Sequence, residues 1–483
     1  MKNTLIILSV LLFTSTSLNA QNIPITTKSK EALDYYKKGW QLEDQLKLDE
    51  AEKMYNKAVN TDSTFALAYL RLAMVKDNYD VRRKQLIEAE KYIDNVTESE
   101  KLWIRGRLDF YAKGYDGSKE YGYFKKLVEL YPNDEMANFL FAFVNLHHRV
   151  LKPDLAISHF EKAIKINPKF IKPYNELIYA YLENKNYKNA KRIAENYIEI
   201  LPTSVNPLDT YAEIFMRSGE YEKSIENYKK VLKIDPQFPW ALMGITANMN
   251  FLGKHEEGRN YTIRLEENHL THYEYRHKWK SLVTSYLDEG DFKQAIATLE
   301  NQKLESVSGR NKREPSFHMY FSFLRKTRFY FENNQSKQGL LEYKEWYKYI
   351  NQSDRSQKAK TRIKNLENYY LAYAAYLDNK LKDARMYLNN YTASNEGETD
   401  ASKILSSRIL LAKEQTEKAI NKILETDLNS PYNQYWLMIA YKKAGDTKNA
   451  KKYRNKILSL NDRNNINLSL VRKKTLHLKL SED

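Results

Sequence analysis

The chain has 483 residues, no cysteine, 38 tyrosines and a formal charge of +16 at neutral pH. The missing cysteines exclude disulfides, thiolate nucleophiles, thiolate metal sites and lipid attachment through a cysteine. Basic residues are spread along the whole chain rather than gathered in one block, which describes a solvated helical surface better than a nucleic-acid footprint.

The first residues carry an address. Lys2 precedes the apolar run Leu5 to Phe13, and a short polar stretch follows that ends Leu18-Asn19-Ala20. Charged, apolar and small residues in that order are the pattern of a secretory signal peptide. The apolar run is roughly 9 residues, whereas a bilayer span takes about 20. The expectation is cleavage after Ala20 and a secreted or periplasmic protein, associated with a membrane peripherally at most.

From about Glu31 the chain repeats itself. Gly39 lies in a first helix, and Ala51, Tyr55 and Ala58 lie in a second, where small residues let paired helices approach and an aromatic ring fills the gap. The stretch Phe65 to Glu129 is less regular, and Arg82-Arg83-Lys84 and Gly114 to Gly122 predict longer turns there. Regularity returns at Pro132, with Phe139, Phe141 and Ala142 in one helix and Ala156, Phe160 and Ala163 in the next. Lys-Ile-Asn-Pro168, Glu-Ile-Leu-Pro202 and Lys-Ile-Asp-Pro236 then close successive segments at intervals of 34 residues. Between these prolines Tyr174, Leu177 and Tyr181 share one helical face, followed by Ala190, Ala194 and Tyr197. The next unit has Leu208, Tyr211 and Phe215, then Ser224, Tyr228 and Val231. This period and internal pattern resemble the tetratricopeptide repeat (TPR) family, here behind the leader of a secreted bacterial protein.

The resemblance implies an all-α fold, a right-handed superhelical solenoid of stacked helix-turn-helix repeats. Later units keep the signature more weakly: Trp279, Leu282 and Tyr286; then Tyr369, Ala372 and Tyr376 with Ala384; and last Trp436, Tyr441 and Ala450. Gly219 and Gly253 sit where a left-handed residue would end the first helix, and Asn379 takes that place later. Polar stretches at Gln302 to Glu314 and Thr392 to Asp400 predict loops. The organisation expected is a leader at 1–20, an N-terminal array at 21–270, a divergent array at 271–460 and a tail at 461–483. In all, roughly eleven units are predicted. In the tail Ile466, Leu468 and Leu470, then Leu476, Leu478 and Leu480, alternate with polar residues, so a hairpin competes with a capping helix or an unstructured end.

Chemistry-bearing patterns are scarce. The sequence has no Gly-x-Gly phosphate loop, no nucleophile elbow and no His-Glu-x-x-His. His147-His148 has no carboxylate at helical spacing, and His269, His272 and His277 read as solvent-facing linker residues rather than metal ligands. No catalysis, metal or cofactor is expected. The resemblance instead places binding on first-helix residues that line a concave face: Lys172, Asn175 and Tyr179; Asn206, Asp209 and Glu213; Trp240, Met243 and Asn250. Amides, charges and a tryptophan there suit an extended peptide. The expected function is a non-catalytic scaffold for a protein or peptide of the cell envelope; the alternative is a surface that binds carbohydrate or an acidic polymer.

Overall fold

The computed structural model describes residues 22–76, 79–112, 117–147, 152–267, 270–307, 315–353, 356–395 and 397–480. The leader at 1–20 lies outside them. The described residues are all-α, with no strand among them. They form two compact units, Met1–Thr210 and Tyr211–Asp483.

Unit 1 contains α1 (Lys30–Asp44), α2 (Leu48–Thr61), α3 (Ala66–Met74), α4 (Tyr79–Lys91), α5 (Glu98–Tyr111), α6 (Gly117–Leu130), α7 (Glu135–His147), α8 (Pro153–Ile166), α9 (Lys172–Glu183) and α10 (Tyr187–Ile200). The boundary falls inside α11 (Val205–Ser218). Unit 2 continues with α12 (Tyr221–Ile234), α13 (Pro239–Phe251), α14 (His255–Ile263), α15 (His272–Glu289), α16 (Phe292–Val307), α17 (Pro315–Glu332) and α18 (Ser336–Gln352). It closes with α19 (Gln357–Leu377), α20 (Leu381–Ser394), α21 (Asp400–Ala412), α22 (Thr416–Leu424), α23 (Pro431–Lys443), α24 (Thr447–Leu458) and α25 (Ile466–Leu476).

Helices pair in sequence order, and the pairs keep phase with the prolines. α8, α10 and α12 end at Ile166, Ile200 and Ile234, each two residues before Pro168, Pro202 and Pro236. A proline disfavours helical geometry in the residue before it, so each helix stops there. The turn inside the pair uses a left-handed residue, with φ of 85° at Gly219, 76° at Gly253 and 60° at Asn379. Lys185 and Glu414 take the same conformation at 54° and 61°. A side chain there is strained, and composition alone does not reveal such positions.

Several differences from the sequence reading have plain causes. Arg82, Arg83 and Lys84 lie within α4 rather than in a turn, and the Arg82 Nη2 donates to the Lys76 carbonyl at 2.6 Å, capping the chain that leaves α3. Gly122 lies inside α6, and α16 continues to Val307. The tail forms α25, not a hairpin. Leu468, Leu470 and Val471 are all buried because α15, α23 and α24 cover it from several sides, so alternate residues find apolar partners without a sheet.

First and second helices are buried differently. α10 buries one stripe, Ala190, Ile193, Ala194 and Tyr197. α13 buries every residue from Ala241 to Asn250. Contact between the two kinds of helix depends on small residues. A Cβ placed on Gly39 would meet the Tyr55 ring at 2.7 Å, and one on Gly106 would meet the Phe124 ring at 2.6 Å. Gly106→Ala should therefore cost about 1–3 kcal/mol of stability in urea unfolding. Gly122→Ala, with nothing within 4 Å of the added carbon, should be neutral or gain up to about 1 kcal/mol. Equal effects of the two substitutions would contradict this packing.

Candidate functional site

In unit 1 most of the sequence-predicted binding residues make contacts within the fold, and Lys172, Asn175, Tyr179 and Asn206 stay partly exposed. Lys172 pairs with Glu43, whose other oxygen accepts from the Tyr55 hydroxyl at 2.7 Å and pairs with Arg71 at 2.5 Å. Arg71 lies 4.4 Å above the Trp40 ring. Burial pushes the Glu43 carboxyl upward, but Arg71 and Lys172 outweigh it and hold it below the usual range. Asn175 accepts from the Thr210 hydroxyl at 2.9 Å, Tyr179 is half-buried, Asn206 hydrogen-bonds Tyr197, and Asp209 is buried. His147 does have a carboxylate, supplied by the next repeat: its Nε2 lies 2.6 Å from Glu176 Oε2.

In unit 2 the predicted face is covered by the chain itself. The connector between α24 and α25 lies against α11, α12 and α13. Asn461 accepts from the Tyr221 hydroxyl at 2.7 Å, and Asp462 pairs with Arg217 at 2.5 Å. Arg463 donates to the Trp240 carbonyl at 2.9 Å, approaches Glu213 at 3.5 Å and stacks 5.1 Å from the Trp240 ring. Met243 is wholly enclosed beside Leu242 and Leu265, so it presents nothing to a partner. Asn250 is buried and accepts from the Ser285 hydroxyl at 2.7 Å. Glu213 and Trp240 are thus brought together by Arg463, while Met243 and Asn250 belong to the interior. His277 packs 5.2 Å from Trp240, and His269 lies outside the described residues.

One open concavity of unit 2 lies elsewhere, between α17, α19, α21 and α23. It has a volume of about 460 Å³ and is lined by Tyr369, Tyr370, Tyr373, Tyr391 and Tyr432 around Glu332 and Arg408. Glu332 accepts from Tyr373 at 2.9 Å and from Tyr432, and lies 3.8 Å from Arg408 and 3.9 Å from Lys474. Burial raises the Glu332 carboxyl, yet Arg408, Arg328 and Lys474 together hold it below the ordinary range. The Arg408 guanidinium stacks 4.3 Å from Trp436 and 4.6 Å from Tyr373. Its Nε is buried among these rings with no hydrogen-bond partner. Fixed charges and an aromatic wall can grip a side chain or a ring. The sequence reading took Tyr369 as packing and passed over Glu332 and Arg408. The available signal was Arg408 sitting on the apolar face with Ile404, Leu405 and Leu411.

A family model described as TPR repeat matches residues 212–245. Residues 212–245 are thus similar to a tetratricopeptide repeat, set within an array of paired helices. Among curated proteins, the chain is 30% identical over 103 residues to the Hsp70-Hsp90 organizing protein 1 of Glycine max and to the Hsp70-Hsp90 organizing protein of Triticum aestivum. The match covers 21% of this chain and only 18% of each relative's length. Solved structures that align with it include human IFIT1 with m7Gppp-AAAA, at 14% identity over 89% of this chain and 90% of that one, TM-score 0.40. Another is YrrB, described as a TPR protein with an unusual peptide-binding site, at 22% identity over 35% of this chain and 87% of that one, TM-score 0.22.

The helical array is latched to α25 through Asp288 of α15, which accepts a hydrogen bond from Ser469. Burial raises this carboxyl to about 7, against the pull of Ser469 and Arg472. Its folded value lies above the unfolded value of about 4, so stability from this group is greatest below about pH 4 and falls as pH rises toward neutrality. Asp288→Asn should melt higher than the parent at pH 8, and the difference should fade toward pH 4.5. A difference in melting temperature that does not change with pH would contradict this environment.

Proposed function

We propose that this protein is a non-catalytic scaffold of the cell envelope, secreted or periplasmic, that holds a peptide segment of a partner protein. The tyrosine-lined concavity of unit 2 would take the anchor side chain. The observation that carries the reading is the wall of tyrosines around a fixed Glu332 and Arg408. Aromatic rings and an arginine concentrate binding energy where water is displaced. Repeats of the same kind occur in relatives named for organising Hsp70 and Hsp90, which is precedent for assembling proteins. The envelope address rests on the order of residues from Lys2 to Ala20. No metal or cofactor enters this reading.

A carbohydrate reading has one observation in its favour: Asp400, Asp427 and Asn433 share the wall with the tyrosines, and that mixture also suits sugar hydroxyls beside a stacking ring. The two readings separate in one experiment. Tyr369→Ala and Tyr391→Ala, introduced together and checked for native helicity, should lower recovery of a defined protein partner at least about tenfold after crosslinking in the native envelope. Unchanged recovery would overturn the peptide reading. Loss of salt-resistant retention on a neutral or acidic polysaccharide matrix, with protein capture unaltered, would replace it with the carbohydrate one.

A further inference from the structure

A second concavity of unit 2 has a different chemistry. It has a volume of about 510 Å³ and lies between α15, α17 and the α24–α25 connector. Lys280 from α15, Arg325 and Arg328 from α17 and Arg463 from the connector all line it. The one carboxylate on its described wall, Asp462, is held by Arg217 at 2.5 Å. Arg328 donates to Asn467 at 2.8 Å, and Arg463 is fixed on Trp240. Lys280 and Arg325 converge from separate helices, and Arg276 stands one helical turn before Lys280.

Like charges brought together repel, and the molecule records that cost. Burial and then Arg276 push the Arg325 guanidinium down to about 10. Burial, Arg325 and Arg276 lower Lys280. Burial, then Lys280, Arg463, Arg276 and Arg325, push His277 down to about 4. An independent observation points the same way. Asn464, 6% exposed and held at a φ of 60°, lies between this cavity and a small cleft beside Asn250 and Asp288, and its Nδ2 is buried with no hydrogen-bond partner. A buried donor left unpaired is unfavourable unless a ligand oxygen completes it.

We propose that this cavity binds a tetrahedral oxyanion, a phosphate or sulfate group, with Lys280 and Arg325 supplying charge and the Asn464 amide supplying a directed donor. A doubly charged group with oxygens in several directions matches cations that arrive from two helices and a loop better than a planar carboxylate does. The inference stands apart from the tyrosine-lined concavity, since the two sites share only Leu324, Arg328 and Asn467 on their walls.

The test uses the full chain and thermal melting followed by circular dichroism. Inorganic phosphate, sulfate and glycerol phosphate are titrated separately against sodium acetate at matched ionic strength. A saturable rise in melting temperature with at least one tetrahedral anion, and none with acetate, is expected. Glycerol phosphate acting at lower concentration than inorganic phosphate identifies a ligand-borne ester, and the reverse order identifies a free ion. Lys280→Gln and Arg325→Gln should each raise the half-maximal concentration at least about tenfold. Lys280→Gln should not lower the melting temperature in anion-free buffer, because it removes repulsion from Arg325 and Arg276. Should Arg325→Gln fail to fold, Lys280→Gln alone decides the matter. No saturable rise above acetate, or an unchanged half-maximal concentration in the folded variants, would overturn the site.

Discussion

First helices such as α7 and α13 have to be covered on both sides, and much of the molecule follows from that constraint. α7 buries Met136 to Ala142 without interruption, and α13 buries Ala241 to Asn250 in the same way. A helix that is apolar or amide-rich all round cannot face water; it needs neighbours on every flank. Second helices provide one neighbour, with Tyr55 and Phe124 laid against Gly39 and Gly106. The other cover must come from the inner side, where an array of repeats would otherwise leave an open trough.

Each unit solves this with its own chain. In unit 1, Glu43, Arg71 and Lys172 form a paired cluster under Trp40, and the segment before α1 is also drawn in. Ile23 donates its backbone N–H to Asp134 at 2.8 Å, and Thr26 donates to Glu100 at 2.7 Å. In unit 2, the α24–α25 connector covers α11 to α13 with paired charges and amides. Buried charges of this kind add little net stability once desolvation is counted, but removing one partner strands the other, so they fix which segments lie together. Among the described residues, unit 2 keeps an aromatic concavity around Glu332 and a basic one under the connector.

Much of the fold could be read in the chain. Prolines at 168, 202 and 236 mark helix ends because their geometry is local, and Gly219, Gly253 and Asn379 mark turns for the same reason. The helical state of Arg82 to Lys84 and of the tail was harder to read. There the deciding contacts come from residues distant in sequence, such as α15 against α25. The candidate site was less legible still. A repeat pattern assigns Lys172, Glu213 and Trp240 to an inner side. It carries no information on whether another part of the chain already lies there, because Glu213 and Arg463 are separated by some 250 residues. Arg408 leaves only a weak signal, one charge on the apolar face of α21, and Glu332 leaves none, since it ends α17 after Arg325, Lys326 and Arg328.

The claim on which this picture turns is that the inner side of α11 to α13 is filled by the chain's own connector. A protein without cysteine allows a direct measurement. Arg217→Cys and Asp462→Cys are introduced together, the folded protein is treated with a short bifunctional maleimide, and the products are mapped by peptide mass spectrometry. The account predicts an intramolecular crosslink joining the two positions in nearly all of the monomer. Two singly modified cysteines with no crosslink between them would contradict it.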